Sequence, residues 1–186
     1  MNEYRSDHNT PEVTGDGLAA ASRLDKNAFE ALYLHYVKPV YRYLFSRLGD
    51  RSDAEDATAQ TFLSLLEGID RYREDGHFSA WLFSVARRKA ADHFRQATRS
   101  SFLPDDLPAF EDDLLQQTHQ RERRKKLQEL LGTLTDDEQE LLRLRFAAGL
   151  AYAEIARVLE RKEDAVKKSL YRLLEKMQNR MEENHD

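Results

Sequence analysis

Apolar residues recur at intervals of three and four along two stretches of this chain, and between the stretches the pattern is lost. Side chains three and four apart share one helical face, so this restricts the chain to two sets of amphipathic helices with a separator. In the first stretch, 25–97, the stripe runs through Phe29, Leu32, Tyr33, Tyr36, Val37, Val40, Leu44 and Leu48. Pro39 lies inside it and predicts a kink or short break near Lys38. Gly49 and Asp50 stop this helix. Ser52 followed by Glu55 predicts a capping box opening the next, which runs to about Glu67 with Ala54, Thr58, Thr61, Phe62 and Leu65 on one side. Residues 71–77 read as a loop, and 79–95 as a further helix with Leu82, Val85, Ala86 and Ala90 inward.

The second stretch begins near residue 121. A helix over 121–131 is closed by Gly132, and Thr135 with Glu138 predicts a second capping box. The helix it opens carries Leu141, Leu142, Leu144 and Phe146 and stops near Gly149. A short helix over 152–159, a polar turn at 160–162 and a helix from Glu163 onward complete a helix-turn-helix pattern. The expected fold is therefore all-α, with two small helical domains at 25–97 and 121–183. Residues 1–24, with Pro11, Gly15 and Gly17, read as a flexible arm. Residues 98–120, with Pro104, Pro108 and the acids Asp105, Asp106, Glu111, Asp112 and Asp113, read as a flexible acidic linker.

The net charge of −5 conceals a pattern. The acid excess lies in the arm and linker, while the 25–97 block is neutral and the 121–186 block is +1. Local basic faces decide phosphate contact, so nucleic acid stays open as a partner, with much of the affinity supplied by another protein. With no cysteine there is no disulfide, no thiolate metal site and no thiol switch, and the six histidines show no metal-ligand spacing. No nucleophile–base grouping, phosphate-binding glycine loop or metal cluster is legible, so neither enzyme activity nor a cofactor is expected. The polar N-terminal stretch lacks a signal-peptide core and no apolar run approaches a membrane span. The expectation is a cytoplasmic protein without membrane insertion.

Two faces carry chemistry. On the last helix Val166, Leu170, Leu173, Leu174 and Met177 form an apolar back, while Lys167, Lys168, Tyr171 and Arg172 fall on the other side. That division suits a helix lying in a major groove, with Arg172 able to pair bidentately with a guanine edge and the lysines holding phosphates. A solvated basic face explains the periodicity equally well. In FSAWLFSVARRKAADHFR, 78–95, the cations Arg87, Arg88, Lys89 and Arg95 follow an aromatic-rich run. Rings and cations together suit an unpaired strand, and the loop from Tyr72 to His77 could accept an extruded base. Aromatics at this spacing are also ordinary core, which is the more common use.

Taken together, DAEDATAQTFLSLL (53–66), FSAWLFSVARRKAADHFR (78–95), LTDDEQELLRLRFAAGLAYAEIARVLE (134–160) and AVKKSLYRLLEKM (165–177) resemble the extracytoplasmic-function (ECF) sigma factors of bacteria. The resemblance implies a protein that binds core RNA polymerase and reads promoter DNA. The first block would open and read the minus-10 element, with Tyr72, Arg73, His77, Arg87, Arg88, Lys89 and Arg95 at the DNA. The segment bearing Asp53, Glu55, Asp56, Gln60 and Phe62 would dock on the polymerase β′ clamp, the linker would thread through the enzyme near the path of nascent RNA, and the β subunit is a further partner. Lys167, Lys168, Tyr171 and Arg172 would read the minus-35 element. An anti-sigma protein is implied as a further partner.

The chain departs from the family pattern at several positions. Ala59 and Gln60 replace a usual Gln-Glu pair, Arg88 stands for a common Asn, and Ala151 for a Ser or Thr. Asp164-Ala165 replaces Gly-Thr, and Lys168-Ser169 replaces Ser-Arg. An anion at the start of the reading helix and a displaced cation predict weaker or altered minus-35 binding. The competing expectation is a helix-turn-helix regulator that binds operator DNA without polymerase.

Overall fold

The structure is a computed structural model and describes residues 15–22, 25–72, 76–97, 127 and 129–183. The linker at 98–120, most of the arm and Arg73 lie outside the described residues. The fold is all-α, with no strand among the described residues. Among the described residues its main helices are α1 (Gly15–Ser22), α2 (Lys26–Leu48), α3 (Arg51–Gly68), α4 (Phe78–Ala97), α5 (Asp136–Leu142), α6 (Tyr152–Val158) and α7 (Glu163–Glu183); 129–132 are helical too, and most of the helix expected over 121–131 lies outside the described residues. A 3-10 turn, Ile69–Arg71, follows α3, and α5 runs directly into a π-helical turn, Arg143–Ala147.

The first lobe is built from α1 to α4. Asp25 caps α2 by accepting from the Asn27 amide at 3.0 Å. The helix then runs through Pro39 without the expected break. Leu32, Tyr36, Val40, Tyr43 and Leu44 are all buried on one face, so packing outweighs the one hydrogen bond that proline removes. Gly49 ends α2 in the left-handed region at φ 80°, a conformation open to glycine at little cost. The turn leaves Asp50 extended, and Asp50 caps α3 by accepting from the Asp53 amide at 2.9 Å. The expected box of Ser52 and Glu55 does not form: Ser52 is already inside the helix, and Glu55 accepts from Arg51 Nε at 2.9 Å. The arm departs from expectation too, because its described part is the helix α1. An alanine-rich run favours helix, and Ala19 is fully buried.

In the second lobe the capping box at Thr135 and Glu138 is present as read from sequence. Thr135 Oγ1 accepts from the Glu138 amide at 3.3 Å and Glu138 Oε2 from the Thr135 amide at 2.9 Å. Gly149, at φ 78°, turns the chain after the π-helical turn into α6. Residues 159–162 then join α6 to α7, where Val166, Leu170 and Leu173 are buried as expected. Leu174 is more than a third exposed and does not belong to that buried side.

The buried residues of the two lobes form one continuous cluster, from Ala19 and Leu32 through Phe83 and Ala90 to Leu141, Ile155 and Leu170. The lobes are docked: α2 lies against the π-helical turn and α4 against α6.

Candidate nucleic-acid and polymerase interfaces

On α7 the side chains of Lys168, Tyr171 and Arg172 are exposed, Tyr171 by 64%. Lys167 is half-buried. Its ammonium donates to Glu163 at 2.7 Å and lies 5.8 Å from the centre of the Tyr152 ring. The bond to Glu163 holds the Lys167 ammonium above its ordinary pKa, so it stays charged through the physiological range. One of the four residues thus begins paired, and Asp164 adds a second carboxylate in the same first turn. Arg161, in the preceding turn, donates to Ser169 Oγ at 2.7 Å. Ala151 offers no side-chain cap to α6, and Glu154 alone satisfies the Ala151 amide at 2.7 Å.

On α4 the four cations are dispersed in their engagements. Arg88 and Arg95 are exposed, with Arg95 bonded to Asp92 in the same helix, and Lys89 is half-buried. Arg87 Nε lies 3.4 Å from Glu140 of the second lobe. The aromatics of this stretch take the common use. Phe78 and Phe83 are buried, and Phe78, Tyr72 and Trp81 pack with ring centres 5.2–5.8 Å apart. Tyr72 therefore corrects the expectation of a base-contacting residue: it is 8% exposed, and its hydroxyl accepts from the His77 amide at 3.3 Å. That bond links the two described ends of the 72–77 segment. His77 is half-buried and shares a cleft of about 310 Å³ with Arg71, Trp81, Ser84 and, from α6, Arg157.

On α3, Glu55, Asp56 and Gln60 are exposed. Asp53 is partly buried, with its carboxylate 3.1 Å from His93 Nε2 of α4. Phe62 is the second correction: it is 5% exposed and meets the Tyr33 ring edge-on at 4.8 Å, so it belongs to the core rather than to a docking face. Its position on the apolar stripe, with Thr58 and Leu65, already signalled burial.

Sequence reasoning missed the group that joins the lobes. Glu140 of α5 is 4% exposed, and its carboxylate is ringed by the first lobe. Tyr43 Oη donates to Oε1 at 2.7 Å, Arg47 Nη1 is bonded to Oε2, and Arg87 stands on the remaining side. Arg143, one turn on, has Nη1 3.9 Å from Oε2 and donates through Nε to the Ser46 carbonyl at 3.0 Å. In the other direction Arg42 donates to the Phe146 carbonyl at 3.2 Å. Burial, reinforced by the Glu140 charge, raises the Tyr43 hydroxyl far above its ordinary pKa and keeps it a donor. Burial lowers that of Arg143, an effect opposed by Glu140. The available signal was the register: Glu140 lies four before Leu144 and so on the apolar stripe.

The described residues contain no group of three or more histidine, aspartate or glutamate side chains able to hold a metal ion. No described helix is long and apolar enough to cross a membrane.

Two lobes with helical faces of this kind correspond to two sequence families. Residues 32–100 match Sigma-70 region 2 and residues 124–177 match Sigma-70, region 4. These define the class as a sigma-70-type transcription-initiation factor. The chain is 32% identical over 190 residues to the ECF RNA polymerase sigma factor ShbA of Streptomyces griseus, a match covering 93% of this chain and 96% of that one. It is 35% identical over 157 residues to the ECF RNA polymerase sigma factor BldN of Streptomyces coelicolor, covering 80% of this chain and 58% of BldN, so it spans little more than half the length of that relative. In fold it is similar to the sigma factor RpoE in its co-crystal structure with the anti-sigma factor NepR from Bartonella quintana, with a TM-score of 0.62 at 20% identity, over 83% of this chain and 96% of that one. The chain belongs to the ECF family of RNA polymerase sigma factors.

Proposed function

We propose that this sigma factor mounts on core RNA polymerase and holds promoter DNA at two places, the minus-10 element through the lobe at 25–97 and the minus-35 element through the lobe at 121–183, with 98–120 as the tether. The observation that carries this reading is the exposed face of Lys168, Tyr171 and Arg172 on α7, backed by buried Val166, Leu170 and Leu173. A helix held from behind and armed with long donors in front suits a major groove, and α6 with α7 serves as the helix-turn-helix. Arg172 is assigned to base edges, Lys167 and Lys168 to phosphates. For Lys167 this requires exchange of Glu163 for phosphate.

On α4, Arg87, Arg88, Lys89 and Arg95 are assigned to the backbone of the melting strand, with His77 and Arg73 at the mouth of the base-accepting loop. Asp56 and Gln60, with Glu55, form the exposed part of the polymerase-docking face on α3; Asp53 orients that helix through His93. The β′ clamp is the partner for α3, with β a further subunit of the polymerase it joins. An anti-sigma protein is a further expected partner, as for the RpoE relative.

Run-off transcription with purified core polymerase on genomic DNA tests the reading. The expected result is discrete start sites that appear only when the factor is added. If the factor neither joins core polymerase nor redirects it to any start site, the reading is wrong. Operator binding by the free chain, without polymerase, would favour the regulator alternative.

A further inference from the structure

We propose that the docked arrangement of the two lobes is a closed, self-shielding form of this factor, latched by Glu140 and opened when the lobes part. The latch itself stands on geometry alone; the shielding rests on the promoter-reading assignment of α4.

The latch is built around one carboxylate. A buried carboxylate is tolerated only when its oxygens are filled by donors. Of the four groups around Glu140, three come from the other lobe: the Tyr43 hydroxyl and the guanidinium groups of Arg47 and Arg87. Only Arg143 is local. The second lobe by itself cannot satisfy Glu140, but water can. The carboxylate is therefore matched to two states, paired when the lobes are docked and hydrated when they separate. An apolar residue in its place would be suited to docking alone. Two reciprocal contacts flank it: Arg143 reaches the Ser46 carbonyl and Arg42 the Phe146 carbonyl. Each is an exposed-rim or half-buried bond that water can replace.

Docking also engages part of the surface assigned to the melting strand, while Arg88 and Arg95 stay exposed. Arg87 is drawn to Glu140 instead of facing outward alone. Arg157 of α6 lines the cleft that contains Arg71, Tyr72, His77 and Trp81, the side on which an extruded base would enter. A strand entering that cleft meets Arg157 of the second lobe while the lobes are docked, so full engagement there requires them to part.

The test uses the full chain. It contains no cysteine, so Leu63→Cys on α3 and Glu175→Cys on α7, both exposed, accept a donor–acceptor dye pair at known sites. Energy transfer then reads lobe separation, and far-UV circular dichroism reads folding. Glu140→Gln keeps size and loses charge, and Tyr43→Phe loses one hydroxyl while keeping the ring packed on Phe83. The expected result is an open fraction raised by about tenfold in Glu140→Gln and less in Tyr43→Phe, at unchanged helix content. Should Glu140→Gln lose helix, Tyr43→Phe and Arg87→Gln decide by the same readout. Unchanged transfer in well-folded variants overturns the latch, as does a wild-type chain whose lobes are already apart. Run-off transcription at limiting factor should rise about threefold in Glu140→Gln if opening limits engagement. Separation on mutation with no run-off product from the wild-type chain would leave the latch standing and overturn the promoter reading. Separation with equal transcription from both would overturn the shielding.

Discussion

Glu138 does two jobs with one carboxylate. It completes the capping box at the start of α5, and it accepts from Lys176 Nζ of α7 at 2.8 Å, tying the two helices of the second lobe. The Lys176 bond, then that from the Thr135 amide, holds its pKa below the ordinary 4.5. A carboxyl depressed by folding adds stability that is complete above its unfolded value and disappears as pH falls through the folded one. Glu138→Gln should therefore destabilise the chain in urea titrations at about pH 7, and the difference from wild type should shrink as pH falls below the ordinary 4.5 and through the lowered folded value. Thr135→Ala, which removes the Oγ1 acceptor and the donation of Oγ1 to Glu138 Oε2, should cost about 1 kcal/mol at about pH 7, checked by the same titrations. This cap was legible because the exchange closes within four residues. The Ser52 cap was misread by two positions, since Gly49 fixes where the next helix can start and the competing acceptor, Asp50, precedes Ser52. Tyr72 and Phe62 were misassigned for another reason: an aromatic near a functional stretch and an aromatic in the core look alike in sequence, and only packing separates them.

Helix α7 separates its structural and its DNA-facing work by side. Leu170→Ala removes a 2%-exposed side chain from the back and should cost about 2–5 kcal/mol, measurable as a lower unfolding midpoint. Arg172→Ala removes an exposed side chain and should change stability by less than about 0.5 kcal/mol. The same change should sharply lower minus-35-dependent run-off transcription while co-purification with core polymerase survives. Equal loss of polymerase binding would show that Arg172 is not a promoter contact. Helices are where the sequence was most readable, because three-and-four spacing is a local consequence of helical geometry. The break expected at Pro39 fails for a non-local reason: the long buried face of α2, from Leu32 to Leu48, holds the helix together across a missing donor. The π-helical turn at 143–147 had no local signature either. Arg143 reaches Ser46 from this turn and Leu144 is fully buried in it.

At the scale of the molecule, the joint core predicts cooperative behaviour. Docked lobes that share one buried cluster should melt in a single calorimetric transition, and Glu140→Gln should divide it into two. Salt should matter little to the docked wild-type chain, because Glu140, Tyr43, Arg47 and Arg143 are largely withdrawn from solvent, Arg87 alone of the group being exposed. Raising ionic strength from ~0.05 to ~0.5 M should leave Trp81 emission nearly constant, whereas α7–DNA contacts should weaken steeply over that range. None of this inter-lobe organisation was visible in the sequence. The residues that meet at Glu140 come from as far as 97 positions away, and periodicity reports which face is buried, never against what. The single carboxylate at that seam has a quantitative corollary. Whatever engages the parted lobes does so with its intrinsic affinity diluted by the fraction of molecules that are parted at that moment. Substitutions at Tyr43, Arg47 or Glu140 would then scale output across every promoter by one common factor, leaving the ranking among promoters untouched.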